Sequence, residues 1–152
     1  MFLKKLLLSF WYAMRGFWFC VKNERNFRIH TLAALTVCLL APYYEFTPGN
    51  MVLLTVVISL VVVCEMFNTA IESAVNLASP DYTELAKIAK DVSAGAVLIA
   101  AACAAACAFF LFVNPPVVAE IAEDVTGSPL KKAFCAVYVV SGYFYVRGFG
   151  KK

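Results

Sequence analysis

The sequence predicts an all-α membrane protein: an N-terminal amphipathic interfacial helix plus three transmembrane helices, with a fourth, C-terminal apolar helix as a candidate. Three observations carry this. Hydrophobic residues make up 62 % of the 152 positions, and the mean hydropathy is +0.79. Uncharged runs such as Met51–Cys64 and Val92–Val113 are long enough to help cross a bilayer. The few charges collect between those runs rather than along them. The net charge of +3 is too small to point to nucleic acid.

Residues 1–20 read as the amphipathic helix. Phe2, Leu3, Leu6, Leu7, Phe10, Met14, Phe17 and Trp18 recur at three- and four-residue steps, with Lys5, Ser9, Tyr12 and Arg15 on another face. Aromatics mixed with basic groups suit a helix lying in the headgroup layer. Arg15 interrupts the apolar stretch and no small-residue cleavage site follows, so the segment is not expected to be a processed leader. A polar patch, residues 22–28, leads to a first span over 29–44, ended near Pro42, and Pro48-Gly49-Asn50 reads as a tight turn.

The second helix is expected over 51–77, longer than the ~20 residues a hydrocarbon core needs, so its polar end should emerge among the headgroups. Ser79-Pro80-Asp81 breaks the chain, with Ser79 or Asp81 as the expected cap of a helix over 82–113. Asn114-Pro115-Pro116 ends that helix. An acidic linker (Glu120, Glu123, Asp124) follows, and then an apolar run over 133–146 whose 14 uncharged residues are marginal for a span. Residues 1–28 hold six Lys and Arg and the 79–91 connection two, whereas 41–50 and 114–130 hold none. The N-terminus and the 79–91 loop are therefore expected in the cytoplasm. A fourth span would return the C-terminus there and leave Lys131 and Lys132 on the opposite side. The six cysteines form no CxxC pair and read as small apolar residues. His30 reads as an interfacial histidine facing headgroups.

Glu65, Asn68, Glu72 and Asn76 are spaced i, i+3, i+7, i+11 and so share one helical stripe. Ionisable groups inside a span are expensive and usually functional. Two carboxylates with carboxamides between them can bind a hard divalent cation and hold a proton acceptor. The alternative is a polar seam that joins helices or lines a pore. Topology puts Glu24, Lys90 and Asp91 in the same interfacial layer as Glu72. That layer holds what phosphoryl transfer needs: metal-binding carboxylates, cations and a base. No GxxxxGKS/T loop, kinase glycine loop, HRD or DFG occurs.

The run Glu65-Met66-Phe67-Asn68-Thr69-Ala70-Ile71-Glu72-Ser73-Ala74-Val75-Asn76 resembles the signature E-x-x-N-S/T-A-I-E-x-x-V/I-D of the prokaryotic diacylglycerol kinase and undecaprenol kinase family, small membrane lipid kinases. Residues 87–98 resemble its second motif, AKDxxAGAVL, and Asn23-Glu24-x-x-Phe27-Arg28 its N-terminal motif. The resemblance runs from about Lys5 to Val113. It implies a membrane lipid kinase domain over 1–114, with 115–152 as an added linker and helix. It implies Glu65 as the catalytic base and Glu24 and Glu72 as ligands of Mg²⁺ on ATP. Lys5, Tyr12, Asp81, Tyr82, Thr83, Lys90 and Asp91 join Glu24 and Glu72 at the nucleotide. Asn68 and Asn76 support the site, and Arg15, Phe27 and Arg28 are expected on the lipid side. It further implies a homotrimer with sites shared between protomers, in a bacterial inner membrane.

Asn76 departs from the family's usual Asp and brings no charge. The tail beyond Val113 has no counterpart in the short family members. The form AKDVSAGAVL, preceded by Leu85-Ala86-Lys87-Ile88, is similar to the undecaprenol kinase branch; undecaprenol is the expected acceptor and diacylglycerol the alternative. A non-enzymatic channel or transport subunit is the reading from another class. It predicts polar residues through the whole membrane depth, whereas here they cluster at one end of the second helix.

Overall fold

The computed structural model describes residues 2–79 and 83–148, and every regular element among them is helical. The order is α1 (Phe2–Asn23), α2 (Arg25–Leu40), a 3₁₀ turn (Ala41–Tyr43), α3 (Pro48–Ala78), α4 (Glu84–Phe112), α5 (Pro115–Gly127) and α6 (Pro129–Arg147).

The polar patch expected between the first two helices shrinks to one residue. Nothing in residues 22–28 breaks a helix, so α1 runs to Asn23 and α2 starts at Arg25; only Glu24 is extended, at φ −101° and ψ 115°. The bend packs Phe17, Cys20, Val21 and Phe27 together, with Val62, Met66 and Tyr145 closing over them. Phe27 is fully buried and meets Phe17 edge-on at 5.1 Å. Truncating such a ring typically costs about 3–5 kcal/mol. Residues 3–16 of α1, by contrast, are exposed along their whole length.

Pro48-Gly49-Asn50 opens α3 instead of forming a separate turn. Pro48 takes a first-turn position, where no backbone N–H is needed, and the Thr47 hydroxyl accepts from the Asn50 N–H at 3.2 Å. At the other break the cap of α4 is Thr83, whose hydroxyl accepts from the Ala86 N–H, rather than Ser79 or Asp81. Asp81 itself lies outside the described residues.

Helices α3 and α4 form the central hairpin and, among the described residues, are the two helices long and apolar enough to cross a membrane. Only 17 % and 11 % of their most apolar windows are buried, so these are not core helices of a soluble protein. Leu53, Val56, Leu60, Leu98, Ile99 and Phe110 stand bare on their outer faces. At 1.5 Å per residue the 31 residues of α3 span about 47 Å, beyond the ~30 Å of hydrocarbon. Glu65 then lies about 26 Å from the start of α3, near the far edge of the apolar layer. Helix α2 has 16 residues, about 24 Å, and reaches further only through its 3₁₀ turn.

The expected C-terminal helix is present and starts before its apolar run, and the acidic linker ahead of it is itself helical. Asn114 leads into α5 with Pro115 and Pro116 in its first turn, and Val117, Val118, Ile121 and Val125 recur at helical spacing. Helix α6 starts at Pro129, with the Ser128 hydroxyl accepting from the Lys131 N–H. It runs antiparallel along α2: Tyr145 bonds Thr31 at 2.9 Å, Tyr138 bonds Thr36 at 2.7 Å, and Gly142 lets Leu32 approach. Lys131 pairs with Asp124, which also accepts from Tyr43. That cation holds the Asp124 carboxyl below the ordinary carboxylate range.

Candidate active site

The polar stripe of α3 is answered by α4. Lys90 Nζ donates to Asn76 Oδ1 at 2.6 Å, and the buried Ser93 hydroxyl donates to Asn68 Oδ1 at 2.7 Å. Asn68 Nδ2 donates in turn to Glu72 Oε1 at 3.0 Å, leaving Glu72 Oε2 without a hydrogen-bond partner among the described residues. The packed α3–α4 hairpin sets this register, and each carboxamide uses its oxygen toward α4. Because Asn76 is neutral, Lys90 is hydrogen-bonded but its charge is not cancelled. Asp91, the next residue, is exposed.

Glu65 lies one turn further toward the apolar half of α3. It is 2 % exposed, and its Oε1 has no hydrogen-bond partner among the described residues. Around it, Asn26, His30, Asn68, Ala94 and Val97 line a cavity of about 360 Å³. His30 and Ala101 also line a second, apolar groove of about 230 Å³, walled by Val37, Leu54, Ile58, Ala104 and Ala108. A chamber that gathers Asn26, His30, Glu65 and Asn68 among apolar walls thus continues into an apolar groove between α2, α3 and α4. The short Ala side chains of α4 create the space.

Glu24 occupies the N-cap position of α2 but makes no capping bond, so its carboxylate is not spent on the helix end. It acts electrostatically on Glu65, as does Glu72. Three carboxylates from α1–α2 and α3 therefore converge on one end of the bundle. No group of three His, Cys, Asp or Glu among the described residues has metal-binding geometry by itself.

The remaining expected residues fall into distinct places. Lys5, Tyr12 and Arg15 stand on the exposed stretch of α1, away from the packed joint, with Arg15 in a surface hollow beside Trp11, Met14 and Trp18. Thr83 caps α4; Asp81 and Tyr82 lie outside the described residues. Phe27 is in the core. Arg28 is 5 % exposed and donates to the Val21 and Lys22 carbonyls at the end of α1 and to the Val146 carbonyl at the end of α6. Two residues escaped the sequence reading. Ser93, three positions after Lys90, was legible as the next polar residue on that face. His30 does not simply face headgroups: it is partly buried, with Nε2 3.2 Å from Glu65 Oε1. Only the packing of α2 on α3 reveals that.

The model of the prokaryotic diacylglycerol kinase family matches residues 11–112, well over half of the chain. The chain belongs to this family. The match stops where α4 stops, so α5 and α6 lie outside the part shared with the prokaryotic diacylglycerol kinases. Among relatives, a diacylglycerol kinase of Synechocystis is 44 % identical over 97 residues, 63 % of this chain and 55 % of that one. An undecaprenol kinase of Bacillus subtilis is 36 % identical over 97 residues, 64 % of this chain and 79 % of its own. A diacylglycerol kinase of Escherichia coli is 36 % identical over 90 residues, 59 % and 71 % respectively. The chain thus spans about half the length of the Synechocystis relative. These relatives are all named as kinases.

Proposed function

We propose that this chain phosphorylates a membrane lipid alcohol with ATP, at the cytoplasmic edge of a bacterial inner membrane. The observation that carries the reading is the buried Glu65 carboxylate, with an oxygen left unpaired, in a chamber that joins the Lys90–Asn76 and Ser93–Asn68–Glu72 network to an apolar groove. A hydrocarbon chain in the groove would present its hydroxyl at the chamber, and a nucleotide would meet Lys90 from the aqueous side.

In this reading Glu65 takes the hydroxyl proton as the lipid oxygen forms its bond to the γ-phosphorus. The bond from that phosphorus to the β–γ bridging oxygen breaks, and ADP departs with the electron pair. Lys90, uncancelled by Asn76, offsets phosphate charge, and Asn68 holds Glu72 in place. Glu24 and Glu72 would hold Mg²⁺, an ion characteristically bound by one or two carboxylates together with phosphate oxygens; when bound it shields the phosphate charge. Their free carboxylate oxygens fit that role. Asp81, Tyr82, Thr83 and Asp91 would border the nucleotide. Lys5 and Tyr12, on the exposed stretch of α1, would complete a neighbouring protomer's site in a homotrimer. Arg15 would meet lipid headgroups, with Phe27 and Arg28 shaping the joint beneath it. Helices α2, α3 and α4 would be the three spans, α1 would lie in the interface, and residues 1–114 would form the kinase domain.

Undecaprenol is the first acceptor, supported by the second motif and the Bacillus relative's name. Diacylglycerol is the second, favoured by the Synechocystis relative. Purified protein in mixed micelles with Mg-ATP, offered undecaprenol, diacylglycerol and ceramide separately, tests this. Transfer to undecaprenol above the others is expected, and transfer to none overturns the kinase reading. Glu65→Gln should lose turnover and still bind ATP.

A further inference from the structure

Glu65 presents an unsolved accounting problem. A buried acceptor with no partner loses its hydration without recompense, and the cost is larger when it is charged. Of the groups acting on it, Glu24 and Glu72 are like-charged and repel it. Among the described residues, the basic side chain within ion-pair distance of it is His30, with Nε2 3.2 Å from Oε1. The ring has 24 % of its side chain exposed, and it lines both the Glu65 chamber and the apolar groove. Its backbone is well fixed: Phe27 is locked in the core one turn earlier, and Arg28 ties the same turn to α1 and α6. A residue held this firmly, with a ring nitrogen 3.2 Å from an unpaired carboxylate oxygen, does more than fill space.

We propose that His30 is a positioning residue for Glu65. Its Nε2–H holds Oε1, which turns Oε2 into the chamber toward the acceptor hydroxyl, at the neck where the apolar groove opens. The contact has the distance of a hydrogen bond but not yet its alignment; a small rotation of the ring supplies it, and bonds of this kind tighten when substrate is bound. This inference rests on the reading of Glu65 as the base.

The test uses the full chain in mixed micelles and compares kcat and KM for Mg-ATP across three variants. Glutamine places its Nε2 where the imidazole Nε2 stands; asparagine is too short to reach, and leucine fills the space without a donor. His30→Leu and His30→Asn are expected to lose tenfold or more in kcat, with KM for Mg-ATP within twofold. His30→Gln should stay within threefold of the parent in kcat. A packing role would order the variants by volume instead. Parent-like turnover by His30→Leu, or a fall of His30→Gln as deep as that of His30→Asn, overturns the proposal, and His30→Met, close to histidine in volume and without a donor, takes the place of the leucine variant if that protein does not fold. Glu65→Gln is measured alongside. If Glu65→Gln keeps turnover, the base reading fails and this one with it. If it is inactive while His30→Leu is normal, only the role of His30 falls.

Discussion

Replacing Arg28 by alanine should loosen the joint between α1, α2 and α6 more than any single contact on the bundle's surface would. The last carbonyls of a helix have no partner within it, and a cation there is favoured by the helix dipole. Arg28 answers two such ends at once, through bonds of 3.0, 3.0 and 3.3 Å. Hydrogen bonds from a charged donor contribute about 1.5–3 kcal/mol each, the longest one less, and desolvating the guanidinium takes part of this back. A net loss of about 3 kcal/mol is expected, which corresponds to roughly a hundredfold in a local opening equilibrium. Cys20, 4 % exposed in the same joint, reports it directly. In a variant keeping Cys20 alone, maleimide labelling should accelerate about a hundredfold on Arg28→Ala. Arg28→Lys should recover only part, because an ammonium cannot span three acceptors as the guanidinium fork does. Labelling of Arg28→Ala at the parent rate would refute the bridging argument.

Other outcomes follow from the same geometry. Ser93→Ala strands the Asn68 oxygen that holds Glu72 in place and should raise the Mg²⁺ concentration needed for half-maximal rate several-fold; unchanged metal dependence would contradict the proposed link from Ser93 to Glu72. Asn76→Ala frees Lys90 and should raise KM for Mg-ATP several-fold, whereas Asn76→Asp keeps an acceptor at 2.6 Å and should stay within about threefold, as read by initial rates. Gly148 has φ +96° and a Cβ there would stand 3.0 Å from Arg28 Nη2, so Gly148→Ala should destabilise by about 1–2 kcal/mol in a detergent melt. The Asp124–Lys131 pair lowers the folded carboxyl pKa, so its contribution is present at neutral pH and is lost as pH falls through that depressed value. Protease nicking between α5 and α6 should therefore increase in acid, and Asp124→Asn should nick readily even at neutral pH.

The sequence by itself determined the helical membrane class, the placement of the breaks to within a few residues, and the stripe Glu65, Asn68, Glu72, Asn76. Hydropathy and helical periodicity are local quantities, and a stripe on one helix needs no partner to be recognised. It also carried the family, because the motifs around Glu65 and Lys90 are continuous in the chain. What only the tertiary structure decided depends on which residues distant in the chain meet. Ser93 answers Asn68, and Lys90 answers Asn76, because α3 and α4 pack in one register. Phe27 and Arg28 turn inward because the chain bends at Glu24 alone. The tail becomes two helices because α6 finds Thr31, Leu32 and Thr36 along α2. His30 moved furthest from its first reading: nothing local to it signals Glu65, thirty-five positions away, until two helices bring an imidazole and a buried carboxylate together.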